Sequence, residues 1–218
     1  MLESLQQDDA NGRDQIISYL KLRFAIGMLG ISLPFLLLLS NYFATGSFIP
    51  EQSISDYYDN GVAGDIFVGI LFVLGFFLSS YRGEARRDNI TASIASIFAI
   101  CTALFPTTST LITIRNLHLL SATLLFIIFI YFSFILFRRN KKDPRNSTYL
   151  YCAIVMMICI LCIIISYRLD SEMRDQSKII FWSESVALIA FGFSWIVKAN
   201  VRFEDFKIGF LSKTIKKV

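Results

Sequence analysis

The chain has 218 residues, 55% of them hydrophobic and only 17% charged, with 21 phenylalanines and a net charge of +4. Its mean hydropathy is +0.57. Charge lies below the roughly 25% of soluble domains, and several apolar runs approach or pass the ~18 residues that mark a spanning helix. A soluble globular domain is therefore excluded, and the modest net charge does not argue for nucleic acid.

Residues 1–23 read as a polar cytoplasmic tail with Glu3, Asp8, Asp9 and Asp14. They lack the apolar core of a signal peptide, so the first apolar run, following Lys21 and Arg23, reads as an uncleaved signal-anchor. Six spans are predicted at 24–43, 64–80, 91–110, 117–137, 149–167 and 179–198. Each is helical because unpaired backbone groups are not tolerated in lipid. The fold class is all-α: an integral membrane six-helix bundle over 24–198, followed by a basic tail at 199–218. In the third span Pro106 removes an amide donor and ends or kinks the helix. The tail carries Phe203, Phe206 and Phe210 among lysines, as in an amphipathic helix on an anionic leaflet. The cysteines, Cys101, Cys152, Cys159 and Cys162, all fall inside predicted spans, which reads as packing rather than a disulfide framework.

Orientation follows from the basic residues. With both termini cytoplasmic, 17 of the 21 Lys and Arg lie inside, among them the run from Arg138 to Arg145. Outside are only Arg115, Arg168, Arg174 and Lys178. The expected location is a cell inner (plasma) membrane.

The stretch from Pro50 to Asp59 carries acids, hydroxyls and two tyrosines and no cation. In this topology it shares the outer face with Asp65 at the start of span two, Thr107 leaving span three, and Arg115 and His118 opening span four. Glu184 lies one to two turns into span six. Acids at such depth face a bundle interior or a wet cavity. Asp65, His118, Glu184, Arg115, Asp56 and Thr107 are therefore the candidate lining of an outward-facing polar pocket. The alternative for each is an interhelical contact, such as Glu184 bonded to His118 or Arg115. Small residues Ser183, Ala187, Ala190 and Ser194 suit close helix approach, and Trp182 and Trp195 suit interfacial anchors.

Four segments, Pro50-Glu-Gln-Ser-Ile-Ser-Asp-Tyr-Tyr, Phe105-Pro-Thr, Leu117-His-Leu-Leu-Ser-Ala and Phe181-Trp-Ser-Glu-Ser, together resemble uncharacterised bacterial multi-pass proteins. More distantly they resemble the six-helix damage-regulated autophagy modulator group. That resemblance implies a six-helix bundle tied to membrane lipids and assigns no catalytic residue. Alkaline ceramidases, a neighbouring comparison, hold zinc with three histidines, whereas this chain has one.

The expected function is a non-enzymatic membrane protein whose pocket takes a lipid headgroup or small polar ligand, with membrane lipids, a homo-oligomer or another membrane protein as partners. The alternatives are an intramembrane metal-dependent lipid hydrolase and a small proton-coupled transporter. No cofactor is expected; a zinc site would have to be assembled from His118, Asp65 and Glu184.

Overall fold

The computed structural model describes residues 2–200, with side chains from residue 19 onward. Helix α1 runs Leu2–Thr45, α2 Val62–Ser80, α3 Arg86–Leu104, α4 Ile112–Tyr131, α5 Asn146–Ser166, α6 Ser171–Ser177 and α7 Ile179–Ala199. A single 3-10 segment, Ile54–Asp59, lies between α1 and α2, and α4 continues into a π-helical turn, Phe132–Leu136. No strand occurs among the described residues. The amphipathic segment expected after residue 200, with Phe203, Phe206 and Phe210, lies outside them.

Among the described residues five stretches are long and apolar enough to cross a membrane: Tyr19–Thr45, Val62–Ser80, Ile112–Leu136, Asn146–Ser166 and Ile179–Ala199. The chain is a multi-pass membrane protein. Of the six expected spans, α3 is the one that falls short of this standard. Its first turn is Arg86-Arg87-Asp88, and Ser and Thr interrupt its apolar residues. Even so, α3 packs between α2 and α4, with Ala92, Ala95, Ala99 and Ala103 fully buried.

The central pairing is α1 on α7. The helices meet backbone to backbone because glycines face each other. A Cβ on Gly27 would stand 2.5 Å from the Gly192 carbonyl oxygen, and one on Gly192 would strike the Gly27 carbonyl. Small residues at such crossings are how membrane helices approach closely without a hydrophobic driving force. The expected small-residue stripe on α7, Ser183, Ala187, Ala190 and Ser194, is buried.

Trp195 corrects one expectation. It is no interfacial anchor but fully buried, with its ring edge-on to Tyr81 and Phe137 and tilted against Phe132. The π turn helps to build this cluster, since Phe132, Ser133, Leu136 and Phe137 are all buried. An extra residue per turn lets positions that ordinary helical spacing would fan outward share one face.

Among the described residues three ion pairs gather near the same end of the bundle. Arg139 pairs with buried Asp88, Arg145 with Asp143 at 2.8 Å, and Lys198 with Glu84 at 2.8 Å. Asp88 also accepts from the Ala85 N–H at 3.1 Å, closing the start of α3. Arg23 reaches the Lys198 carbonyl and Arg145 the Val197 carbonyl. Both cations thus serve the C-terminal end of α7, where the helix dipole favours positive charge.

Candidate functional site

The opposite end is organised by the 3-10 segment. Ser53 caps it: its hydroxyl accepts from the Asp56 N–H at 3.2 Å, while an Asp56 carboxylate oxygen accepts from the Ser53 N–H at 2.9 Å. The cap supplies the Ser53 N–H with a partner that the turn's backbone does not, while the Asp56 N–H is shared with the Ser53 carbonyl at 3.3 Å. The Ile54 N–H, at the start of the turn, donates to Glu184 Oε2 at 2.7 Å. One turn earlier on α7, the Phe181 N–H donates to the Gln52 carbonyl at 2.9 Å. The polar stretch is thereby stitched to α7.

It is stitched to α3 as well, and Pro106 is the reason. A helix continuing past Leu104 would bond residue 106 to the Thr102 carbonyl and residue 107 to that of Ala103. Proline has no N–H, so the helix stops and its last carbonyls need other donors. The Tyr58 hydroxyl donates to the Ala103 carbonyl at 3.1 Å. His118 Nδ1 lies 2.6 Å from the Phe105 carbonyl oxygen. A carbonyl only accepts, so Nδ1 carries the proton. Thr107 returns the favour, its hydroxyl donating to the Ser55 carbonyl at 3.2 Å. Tyr57 is fully buried beneath the turn and accepts from the Glu51 N–H. Burial pushes its phenol above the ordinary value, so it remains protonated.

This framework borders two neighbouring spaces that share lining residues. A cleft of about 510 Å³ is lined at its polar end by Ser53, Ser55, Asp56, Thr107, Arg115 and Glu184. Its walls are Leu119, Phe126, Ile160, Ile163, Ile164 and Ile180, supplied by α4, α5 and α7. An inner cavity of about 80 Å³ adjoins it, lined by Thr102, His118, Leu71, Leu74 and Phe129 among others. Glu184 and Ser55 line both, so Glu184 stands at the partition.

Four expected lining residues, Asp56, Thr107, Arg115 and Glu184, thus meet in one cleft. His118 faces the inner cavity and is buried. It does not open α4 as expected, because α4 begins six residues earlier, at Ile112. Asp65 is not brought to them. It is exposed on α2, whose buried face is Ala63, Phe67, Leu71 and Leu74, and residue 65 falls about 200° from residue 63 around the helix. The zinc set of His118, Asp65 and Glu184 is therefore not assembled, and among the described residues no three His, Cys, Asp or Glu side chains form a metal-holding group. Glu184 meets neither His118 nor Arg115 in a hydrogen bond; its partner is a backbone amide. Gln52, Tyr57 and Tyr58 are structural members of the site that the sequence placed in the outer polar stretch without an individual role. The signal for Tyr58 was the proline itself, which orphans carbonyls nearby.

Chemically, the cleft offers unused capacity of both signs. Among the described residues only the Ile54 N–H bonds to the Glu184 carboxylate, leaving Oε1 without a partner. Arg115 is exposed at the rim and takes part in none of the ion pairs among the described residues. An acid without a cation and a cation without an acid stand above a wall of isoleucines.

An all-α multi-pass membrane protein with an amphipathic cleft at one end is what the fold and the site define. The family model of phosphatidylinositolglycan class N (PIG-N) matches residues 57–205, and the chain belongs to that family. This overturns the resemblance to the damage-regulated autophagy modulator group. No curated protein and no solved structure matches the chain.

Proposed function

We propose that the chain is a lipid-binding membrane unit whose cleft holds a lipid carrying ethanolamine phosphate. The family is linked to phosphoethanolamine transfer in GPI-anchor synthesis, and the chemistry of the cleft agrees with such a head. The ammonium pairs with the free oxygen of Glu184, Arg115 takes the phosphate, and the acyl chains lie against Ile160, Ile163 and Ile164. The observation that carries this reading is that an unpartnered Glu184 oxygen and an unpaired Arg115 line the same isoleucine-walled cleft. A part-buried carboxylate at this depth is costly unless a cation meets it, and guanidinium is the side chain best matched to phosphate.

In this reading α3 crosses as a sixth span, both ends of the described chain lie on the cytoplasmic side, and the cleft opens to the other leaflet. The excess of Lys and Arg at the ion-paired end supports that orientation. The unit binds and presents the lipid without turning it over. The family's association with phosphoethanolamine transferase activity supports a second reading, in which Asp56 or Glu184 acts as a base on a bound acceptor hydroxyl.

The experiment is lipid occupancy of the purified chain in nanodiscs, read by native mass spectrometry with phosphatidylethanolamine and phosphatidylglycerol supplied equally. Phosphatidylethanolamine should be retained selectively. Arg115→Ala should weaken retention about 5-fold, the worth of one charge-assisted phosphate contact, without lowering thermal stability. Equal retention of both lipids overturns the reading. Release of diacylglycerol that depends on Glu184 or Asp56 moves it to the enzyme.

A further inference from the structure

A second space lies between α1 and α2 at the same end of the bundle. It is a groove of about 720 Å³, and it touches neither Glu184 nor Arg115. Its apolar wall includes Leu36, Leu39 and Ile66, and its polar end Asn41, Glu51 and Asn60. Leu36 and Leu39 are among the exposed large hydrophobics, so the groove opens toward lipid.

The polar end differs from that of the cleft in one respect that matters. No Lys, Arg or His lines it, so nothing there compensates a phosphate. Acceptors are in surplus instead. Asn41 is more than nine-tenths buried, and its Nδ2 donates to the carbonyls of Ser47 at 3.1 Å and Ile49 at 2.9 Å. Those two partners fix the amide orientation and leave Oδ1 without a donor among the described residues. Glu51 accepts from Asn60 Nδ2 at 2.8 Å through one oxygen and has a second to spare. An amide this buried whose oxygen lacks a donor costs free energy, and hydrocarbon supplies none.

We infer that this groove is a second lipid site, for an uncharged lipid whose head is a hydroxyl, of the diacylglycerol class. The hydroxyl donates its single proton to Asn41 Oδ1 at the polar end that Glu51 also lines, and the chains lie along Leu36 and Leu39. A phosphate-bearing head is refused because its charge would face Glu51 with no cation near. The inference goes beyond the proposed function: the two sites share no lining residue, and only the polar stretch between α1 and α2 contributes to both.

The full chain in nanodiscs is labelled with a photoactivatable diacylglycerol, and the labelled peptides are mapped. Label is expected on residues 36–66. Unlabelled diacylglycerol should compete at least 10-fold better than phosphatidic acid. Ala44→Trp, on an exposed position that lines the groove, should reduce labelling about 5-fold, and Asn41→Leu by a similar factor if that variant folds. Glu184→Gln should leave this labelling unchanged, which separates its failure from that of the cleft. Equal competition by phosphatidic acid, or undiminished labelling of Ala44→Trp, identifies ordinary boundary lipid and overturns the inference.

Discussion

The two ends of the bundle use the same kinds of side chain to opposite effect. At the α7 C-terminal end, charges meet charges: Asp88 with Arg139, Asp143 with Arg145, Glu84 with Lys198. At the other end, charges meet backbone. Glu184 holds one amide, Asp56 caps its own turn, and Arg115 is left over. Paired charges close a structure. A carboxylate that spends one oxygen on an amide keeps the other for a visitor. The difference teaches where to look for binding in a greasy protein: the polar groups to follow are those whose capacity is half used.

The largest expected effect removes the support of both ends at once. Gly192→Leu forces α1 and α7 apart at their backbone contact and should cost about 3 kcal/mol, read as loss of monodisperse, thermally stable protein in detergent. Asp88→Ala breaks only the closed end. It strips a partner from Arg139 and the cap from α3, at about 2 kcal/mol given that Arg139 is part-exposed. Thermal unfolding should report the loss while lipid occupancy of the cleft stays intact; a parallel fall in occupancy would erase the distinction between the ends. Glu184→Gln is the converse. Its amide oxygen still serves Ile54, so stability should change by less than about 1 kcal/mol, yet phosphatidylethanolamine occupancy should fall about 10-fold.

The smallest effect belongs to pH. The hydrogen bond from Lys198 holds the Glu84 carboxyl below its ordinary value. Its contribution is present above the usual carboxylate range and disappears as pH falls through that lowered value. Glu84 is 58% exposed at the side chain, so after screening the contribution is under about 0.5 kcal/mol. Melting curves between pH 6 and pH 3 should therefore differ slightly between the native chain and Glu84→Gln. A large difference would mean that the closed end depends on this surface pair more than its exposure permits.

Hydropathy and charge made the helices and their order legible, because lipid leaves the backbone one choice. They also gave depth, which is why Asp56, Thr107, Arg115 and Glu184 were recoverable as a set. They did not give azimuth. Asp65 sits at the right depth on the wrong side of α2, and the stripe Ala63, Phe67, Leu71, Leu74 was the signal that went unused. Trp195 shows the same gap: its position near a span end suggested an anchor, whereas its direction puts it in an aromatic core. Asn41 was overlooked as one polar residue in an apolar run. His118 looked like chemistry because it is the chain's lone histidine, yet its proton serves a carbonyl beyond the last turn of α3, beside the proline that ended it.

The bonds of the 3-10 turn also bear on how the proposed lipid would reach the cleft. The turn is fastened to α3 through Tyr58 and Thr107 and to α7 through Gln52 and Glu184. Among the described residues no hydrogen bond joins it to α5. Lifting the turn would strand carbonyls and a carboxylate together, so it serves as a fixed roof rather than a hatch. If the cleft takes the proposed lipid, the seam where α5 faces α4 is the side without such fastenings, and a lipid entering there would keep its tails in hydrocarbon throughout.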